Sequence, residues 1–174
     1  KLQVGSGAVD FETATTMDVT LRVTDSGGAT FDQSFTITVT DVNEAPTGMA
    51  LSGDTVAENS AEGTDVGTLS ATDADAGDTA TYSIESQGVA DAFKISGDKL
   101  QVGTGALDFE ATPTMSVTVR STDSSGLTFD KTFTVTLTDV NEAPSDISLS
   151  AATVAENSAQ GTEIGTLSTT DVDA

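Results

Sequence analysis

Large apolar residues alternate with threonine along much of this chain. Phe133, Val135 and Leu137 are separated by Thr134 and Thr136, and Phe35, Ile37 and Val39 by Thr36 and Thr38. Met115, Val117 and Val119 keep the same period, as do Met17, Val19, Leu21 and Val23. A period of two places one set of side chains on each face of a strand, so these stretches predict strands with one apolar and one hydroxylated face. Shorter strands are expected at Met49–Leu51, Val66–Ala71, Thr81–Ile84, Phe93–Ile95 and Leu100–Val102. Turns are expected where glycine and aspartate cluster, at Ser52-Gly53-Asp54, Ser96-Gly97-Asp98 and Ser124-Ser125-Gly126. No stretch longer than a turn reads as helix. About seven short strands with regular turn signals predict an all-β fold, a β-sandwich.

The pattern repeats. Residues Asp41-Val42-Asn43-Glu44-Ala45-Pro46 return as Asp139-Val140-Asn141-Glu142-Ala143-Pro144, 98 positions later, and 51 of the 76 comparable positions are identical without a gap. That period is too long for a solenoid turn and suits one small domain with its own core. The expected organisation is therefore the back part of one unit at 1–46, a whole unit at 47–144, and the front part of a third at 145–174. Each partial unit should leave an apolar face open, at a cost of roughly 25 cal/mol per Å². Pairing of front and back parts between neighbouring copies would cover those faces. Lys1 falls in mid-repeat, so the start of the chain says nothing about export.

Charge narrows the partners. Twenty-eight acidic residues stand against six Lys and Arg, with no His, for a net charge of −22. Nucleic acid and anionic membrane surfaces need clustered cations, so neither is expected as a direct partner. Cysteine is absent, which removes disulfides and thiolate metal sites. No apolar run approaches the roughly 18 residues of a membrane span.

Sixteen of the 28 acids fall in clusters that recur with the repeat. They are Glu58 and Glu156; Asp73 with Asp75 and Asp171 with Asp173; Asp10 with Glu12 and Asp108 with Glu110; Asp25 and Asp123; and Asp41 with Glu44 and Asp139 with Glu142. Each cluster ends a strand or begins a loop, so the acids should converge at the poles of the sandwiches, where the hexapeptides link them. Like charges gathered there repel unless a cation is present. Every candidate ligand is an oxygen, including the Asn43 and Asn141 amides. Six to eight oxygens at flexible distances suit Ca²⁺ rather than Mg²⁺, and zinc or copper would recruit His or Cys.

The ordered set of motifs resembles the cadherin repeat, in its bacterial adhesin form, across the whole chain. The family's first-strand glutamate resembles Ala57-Glu58-Asn59, and its Asp-x-Asp resembles Asp73-Ala74-Asp75. Its Leu-Asp-Arg-Glu resembles Leu107-Asp108-Phe109-Glu110 and Val9-Asp10-Phe11-Glu12. Its Ala-x-Asp resembles Ser121-Thr122-Asp123 and Val23-Thr24-Asp25. Its linker Asp-x-Asn-Asp-Asn-x-Pro resembles the two hexapeptides, which are one residue shorter and carry Glu for the first Asp of Asn-Asp-Asn. The resemblance implies tandem Greek-key sandwiches of the cadherin and immunoglobulin type, with calcium between units. It implies a first junction of Asp10, Glu12, Asp41, Asn43 and Glu44, answered by Asp73, Asp75 and Asp123. It implies a second of Glu58, Asp108, Glu110, Asp139, Asn141 and Glu142, answered by Asp171 and Asp173.

The expected function is that of calcium-rigidified extender repeats in a large extracellular, secreted or surface-attached adhesin or filament protein. Its partners would be neighbouring repeats, other copies of the chain, or a glycan or protein receptor reached through other domains. The competing reading is a calcium-dependent module recognising carbohydrate or a second copy of itself. One Tyr and no Trp offer little platform for a sugar. A glycosidase would need a distinct pair of carboxylates, whereas here nearly every pair recurs, so an enzyme is not expected. The threonine faces do not predict ice binding, because each rank recurs only once per repeat and the residues simply suit an exposed strand.

Overall fold

A computed structural model describes residues 1–173. Twelve strands form among them and no helix. The first two, β1 (Thr16–Thr24) and β2 (Thr30–Thr38), make an isolated antiparallel hairpin. Eight follow: β3 (Gly48–Leu51), β4 (Thr55–Ala57), β5 (Asp65–Thr72), β6 (Thr81–Gln87), β7 (Phe93–Ser96), β8 (Lys99–Val102), β9 (Thr114–Thr122) and β10 (Thr128–Thr138). They build two four-stranded sheets, ordered β4-β10-β9-β6 and β3-β5-β8-β7. The last two, β11 (Asp146–Leu149) and β12 (Leu167–Thr170), form a second isolated pair.

The alternation read from the sequence is the alternation that is buried. In β9, Met115, Val117, Val119 and Ser121 point inward, while the residues between them face outward or lie at the margin. Across the hairpin, Val135 and Leu137 of β10 join the same layer. From the facing sheet come Met49, Val66, Leu69, Phe93, Leu100 and Val102. Ser121 is the one hydroxyl in that inner row, and it is satisfied by donating to the Phe129 carbonyl at 3.2 Å. An unpaired buried hydroxyl would cost free energy, so this bond keeps the position tolerable.

One strand escapes the periodicity. Three-residue β4 lies parallel to β10, pairing Val56 with Leu137, although the two are far apart in sequence. The segment β3–β4 crosses from one sheet to the other at Ser52–Asp54. A Cβ on Gly67 would lie 2.7 Å from the Gly53 nitrogen, so the crossing strand passes over β5 closer than a side chain allows. Here glycine is a requirement of packing rather than of a turn.

The flanking hairpins keep the pattern but not the partner. Val119 is fully buried, while Leu21, at the same place in the repeat, is 42% exposed. Phe31, Phe35, Ile37, Ile147 and Leu167 are exposed as well.

Candidate metal centre

Two six-residue linkers, 41–46 and 139–144, lie outside every strand and carry acids into contact with their neighbours. The first docks through its asparagine. Asn43 Nδ2 donates to Asp123 Oδ2 at 2.8 Å, and Asn43 Oδ1 accepts from Ser125 Oγ at 2.8 Å. One residue on, the Glu44 N–H donates to Asp75 Oδ2 at 2.8 Å. The linker thus reads two separate loops of the following unit with consecutive residues.

Asp123 is 7% exposed and is organised by its own turn. Its Oδ1 accepts from the Ser125 N–H at 2.9 Å and the Leu127 N–H at 2.8 Å, as Asp25 accepts from Gly27 and Ala29. Gly126 closes the turn with a φ of 91°, a left-handed angle that glycine adopts without steric cost. Burial works against the Asp123 charge, but the Asn43 amide and the backbone N–H groups outweigh it. The carboxyl therefore sits below its ordinary value.

Around this linker, Glu12, Asp41, Glu44 and Asp75 place one oxygen each within 4.8 Å of one another. Asp73, Asp78 and Asp123 form a second such group. At the other pole, Glu58, Glu110 and Asp139 form a third, and Glu110, Glu142 and Asp173 a fourth. Glu110 belongs to both. β9 runs from the Glu110 pole to Asp123, and a strand of that length spans about 30 Å.

Glu58 anchors the far pole from inside. It is only 3% exposed, and its Oε2 accepts from the Phe109 N–H at 2.7 Å while Oε1 accepts from the Val140 N–H at 2.8 Å. One buried carboxylate therefore ties the 108–110 loop to the second linker. The Glu142 N–H donates to Asp173 Oδ2 at 2.8 Å, repeating the Glu44–Asp75 contact. Asn59, held at a φ of 55°, donates its amide to Glu142 Oε1. The other oxygen, Glu142 Oε2, is buried and has no hydrogen-bond partner among the described residues. A buried carboxylate oxygen left unpaired is costly and calls for a donor or a cation.

The electrostatics agree. Burial, then the charges of Glu12, Asp75, Asp41 and Asp10, push the Glu44 carboxyl above its ordinary value. Burial, then Glu58 and Asp173, do the same to Glu142 against the opposing Asn59 amide. Such groups favour the folded arrangement when protonated. Their contribution is full below the ordinary glutamate range and is lost as pH rises through their raised values. Asp123 and Asp10 have lowered values, and their contribution is lost as pH falls through them. In the absence of metal, the linkers are therefore expected to order best within the ordinary carboxylate range and to loosen toward neutral pH. Amide exchange at Glu44 and Glu142 followed against pH in chelator checks this.

Not every expected ligand enters these groups. Asp10 and Asp108 instead accept from Thr13 and Ala111 N–H groups in their own turns. Asp171 accepts from the Asp173 N–H, as Asp73 does from Asp75. Asn141, an amide outside these groups of acids, donates to the Glu142 carbonyl, as Asn43 does to the Glu44 carbonyl. Two contributors were not predicted. Asp78 has no counterpart within the 174 residues, so the repeat could not mark it. Asn59 did carry a signal, since Ala-Glu-Asn recurs at 155–157 with Asn157 also left-handed.

Residues 55–138 match the family model of the cadherin domain. Among solved structures, extracellular cadherin domains 3–6 of protocadherin gamma B2 share 25% identity at a TM-score of 0.66, covering 95% of this chain and 42% of that one. The EC3–6 cis-dimer structure of protocadherin gamma B7 shares 27% at 0.64, with coverages of 95% and 42%. The human desmocollin-1 ectodomain shares 26% at 0.58, covering 95% and 34%. The chain thus spans less than half the length of these structures. With the two-sheet sandwich and the acids at its poles, residues 55–138 have the fold of the extracellular cadherin domains they are similar to.

Proposed function

We propose that the linkers 41–46 and 139–144 are calcium-dependent joints and that the chain is part of an extracellular extender. The solved structures that this chain resembles include extracellular cadherin domains of protocadherins, which favours an extracellular setting. The observation that carries the reading is Glu142, whose Oε2 is buried without a partner in a group of three acids. The donor set is entirely oxygen, which suits Ca²⁺.

At the first joint, Asp10, Glu12, Asp41, Asn43 and Glu44 meet Asp73, Asp75, Asp78 and Asp123. At the second, Glu58, Asp108, Glu110, Asp139, Asn141 and Glu142 meet Asp171 and Asp173. When bound, calcium supplies positive charge that offsets the mutual repulsion of these carboxylates. The chain's own residues do the rest. Asn43 and the Glu44 N–H hold the first linker on the following unit. Glu58 fixes the second linker to the 108–110 loop. Because ligands come from both sides of each linker, binding and interdomain order are coupled, and the ion stabilises the ordered arrangement by mass action. A surface or secreted adhesin of bacterial type is the parent this reading favours, with no enzymatic role.

Calorimetric titration tests the ligand set. The chain should bind calcium at about 10⁻⁴–10⁻³ M and magnesium more weakly. Combined Asp73→Ala, Asp75→Ala and Glu110→Ala substitution should remove that binding at both joints. Unchanged binding in this variant contradicts the assignment.

A further inference from the structure

We propose that Asn59 is a positioning residue of the second joint, a role that rests on the calcium reading of that joint. It limits Glu142 to one oxygen toward a divalent cation, and so sets how sharply the joint prefers calcium to magnesium. The grip on the linker comes from consecutive residues. Glu58 Oε1 accepts from the Val140 N–H at 2.8 Å, and the Asn59 amide donates to Glu142 Oε1. A buried carboxylate thus fixes the linker backbone, and the next residue fixes a linker side chain.

Asn59 stands on a firm base. Its own N–H donates to the Leu107 carbonyl at 3.2 Å. Its neighbour Glu58 is 3% exposed and also accepts from the Phe109 N–H at 2.7 Å. The backbone at Asn59 is left-handed, with a φ of 55°. Most left-handed angles in this unit are taken by glycine, at Gly63, Gly77, Gly97 and Gly126. Glycine adopts such an angle without steric cost, so it would serve the turn at 59 equally well. It would bring no donor. Asparagine is among the few other residues that visit this region routinely, and it carries an amide to the linker. Asn157, at the same place in the repeat, has a φ of 63°.

The bond divides the two oxygens of Glu142. Oε1 is engaged by Asn59, while Oε2 is buried without a hydrogen-bond partner among the described residues. The Glu142 N–H meanwhile donates to Asp173 Oδ2 at 2.8 Å, so the residue is tied to both sides of its linker. A carboxylate free at both oxygens can chelate an ion. One held by an amide at Oε1 presents Oε2 alone.

Denticity bears differently on the two ions. Calcium takes six to eight oxygens at flexible distances and accepts a carboxylate through one oxygen or both, whereas magnesium demands a compact octahedron. The narrow bite of a chelating carboxylate does not fit that octahedron, but a single oxygen does. Asn59 therefore gives up part of the preference for calcium in return for a carboxylate oriented in advance. Partners that orient a ligand in this way are commonly as important to affinity as the ligand itself.

The whole chain carrying Asp73→Ala and Asp75→Ala keeps the acids of the second joint and serves as the reference. Asn59→Gly in this background removes the amide and keeps the left-handed angle. Calorimetric titration should show magnesium affinity falling about tenfold, because Glu142 is no longer oriented. Calcium affinity should fall less, since the second oxygen becomes available, so the calcium-to-magnesium ratio rises. The rise should vanish when Glu142→Ala is added, because Asn59 acts only through that carboxylate. In chelator, hydrogen exchange at the Glu142 amide should quicken in Asn59→Gly. Equal losses for both ions, or a rise that persists beside Glu142→Ala, overturns the role of Asn59 and leaves the calcium reading standing. A reference chain that binds no calcium contradicts the joint itself, and the role of Asn59 with it. An unchanged unfolding transition of the middle unit shows that the variants are folded.

Discussion

Glu110→Gln should act with opposite signs in calcium and in chelator. Glu110 lies in two acid groups at once, with Glu58 and Asp139 and with Glu142 and Asp173. Its carboxyl is raised despite a backbone hydrogen bond that lowers it, because burial, Glu58, Asp139 and Asp173 act against its charge. In chelator, removing one negative charge relieves this repulsion, so thermal unfolding should move upward. In calcium, the same change removes a charged ligand from both groups, and affinity at the second joint should fall about tenfold or more. Calorimetric titration and thermal scans in both conditions read the two signs. A substitution that shifts stability the same way in both would show that Glu110 acts only as an ordinary surface charge.

The second large effect is in the core. Leu137→Ala should destabilise the middle unit by about 2–5 kcal/mol, the range for a buried leucine that leaves a cavity. Leu137 is 1% exposed, between β4 and β9, and its removal empties space that the neighbours fill only partly. Val39→Ala, at the same place in the repeat, should leave that unfolding transition within about 0.5 kcal/mol. Denaturant titration of the two variants measures the contrast. Equal losses would mean that residues 1–46 fold cooperatively with the middle unit.

The contrast between these two positions also shows what the sequence could tell and what it could not. Alternation along 114–122 and 128–138 predicted both strands and their inner faces, because period two is a local property. The 98-residue repeat made residues 16–24 and 30–38 equally predictable as strands, and they are strands. Burial did not follow, since it depends on a facing sheet that the pattern of one strand does not contain. β4 was missed for a related reason. Three residues are too few for a period, and what makes Thr55–Ala57 a strand is pairing with the distant end of β10.

The acids divide the same way. The repeat marked Glu12, Asp41, Glu44 and Asp75 as a set, and the fold brings all four within 4.8 Å of one another. It also marked Asp10 and Asp108, which the fold occupies in turn hydrogen bonds. Motif spacing places an acid in a loop but does not choose which way its carboxylate turns. Asp78 joins Asp73 and Asp123 by tertiary proximity. With its counterpart position beyond the sequence, no internal comparison could have singled it out.

A calcium-dependent joint requires that calcium order the linker between residues 1–40 and the unit that follows. The chain has no cysteine, so two introduced ones at exposed Gln33 and Thr134 can carry spin labels without competing sites. Pulsed electron–electron resonance on dilute protein would give the distribution of distances across Asp41–Pro46. A calcium-ordered joint should give one narrow distribution in calcium and a broad one in chelator. Equal widths in the two conditions would contradict it.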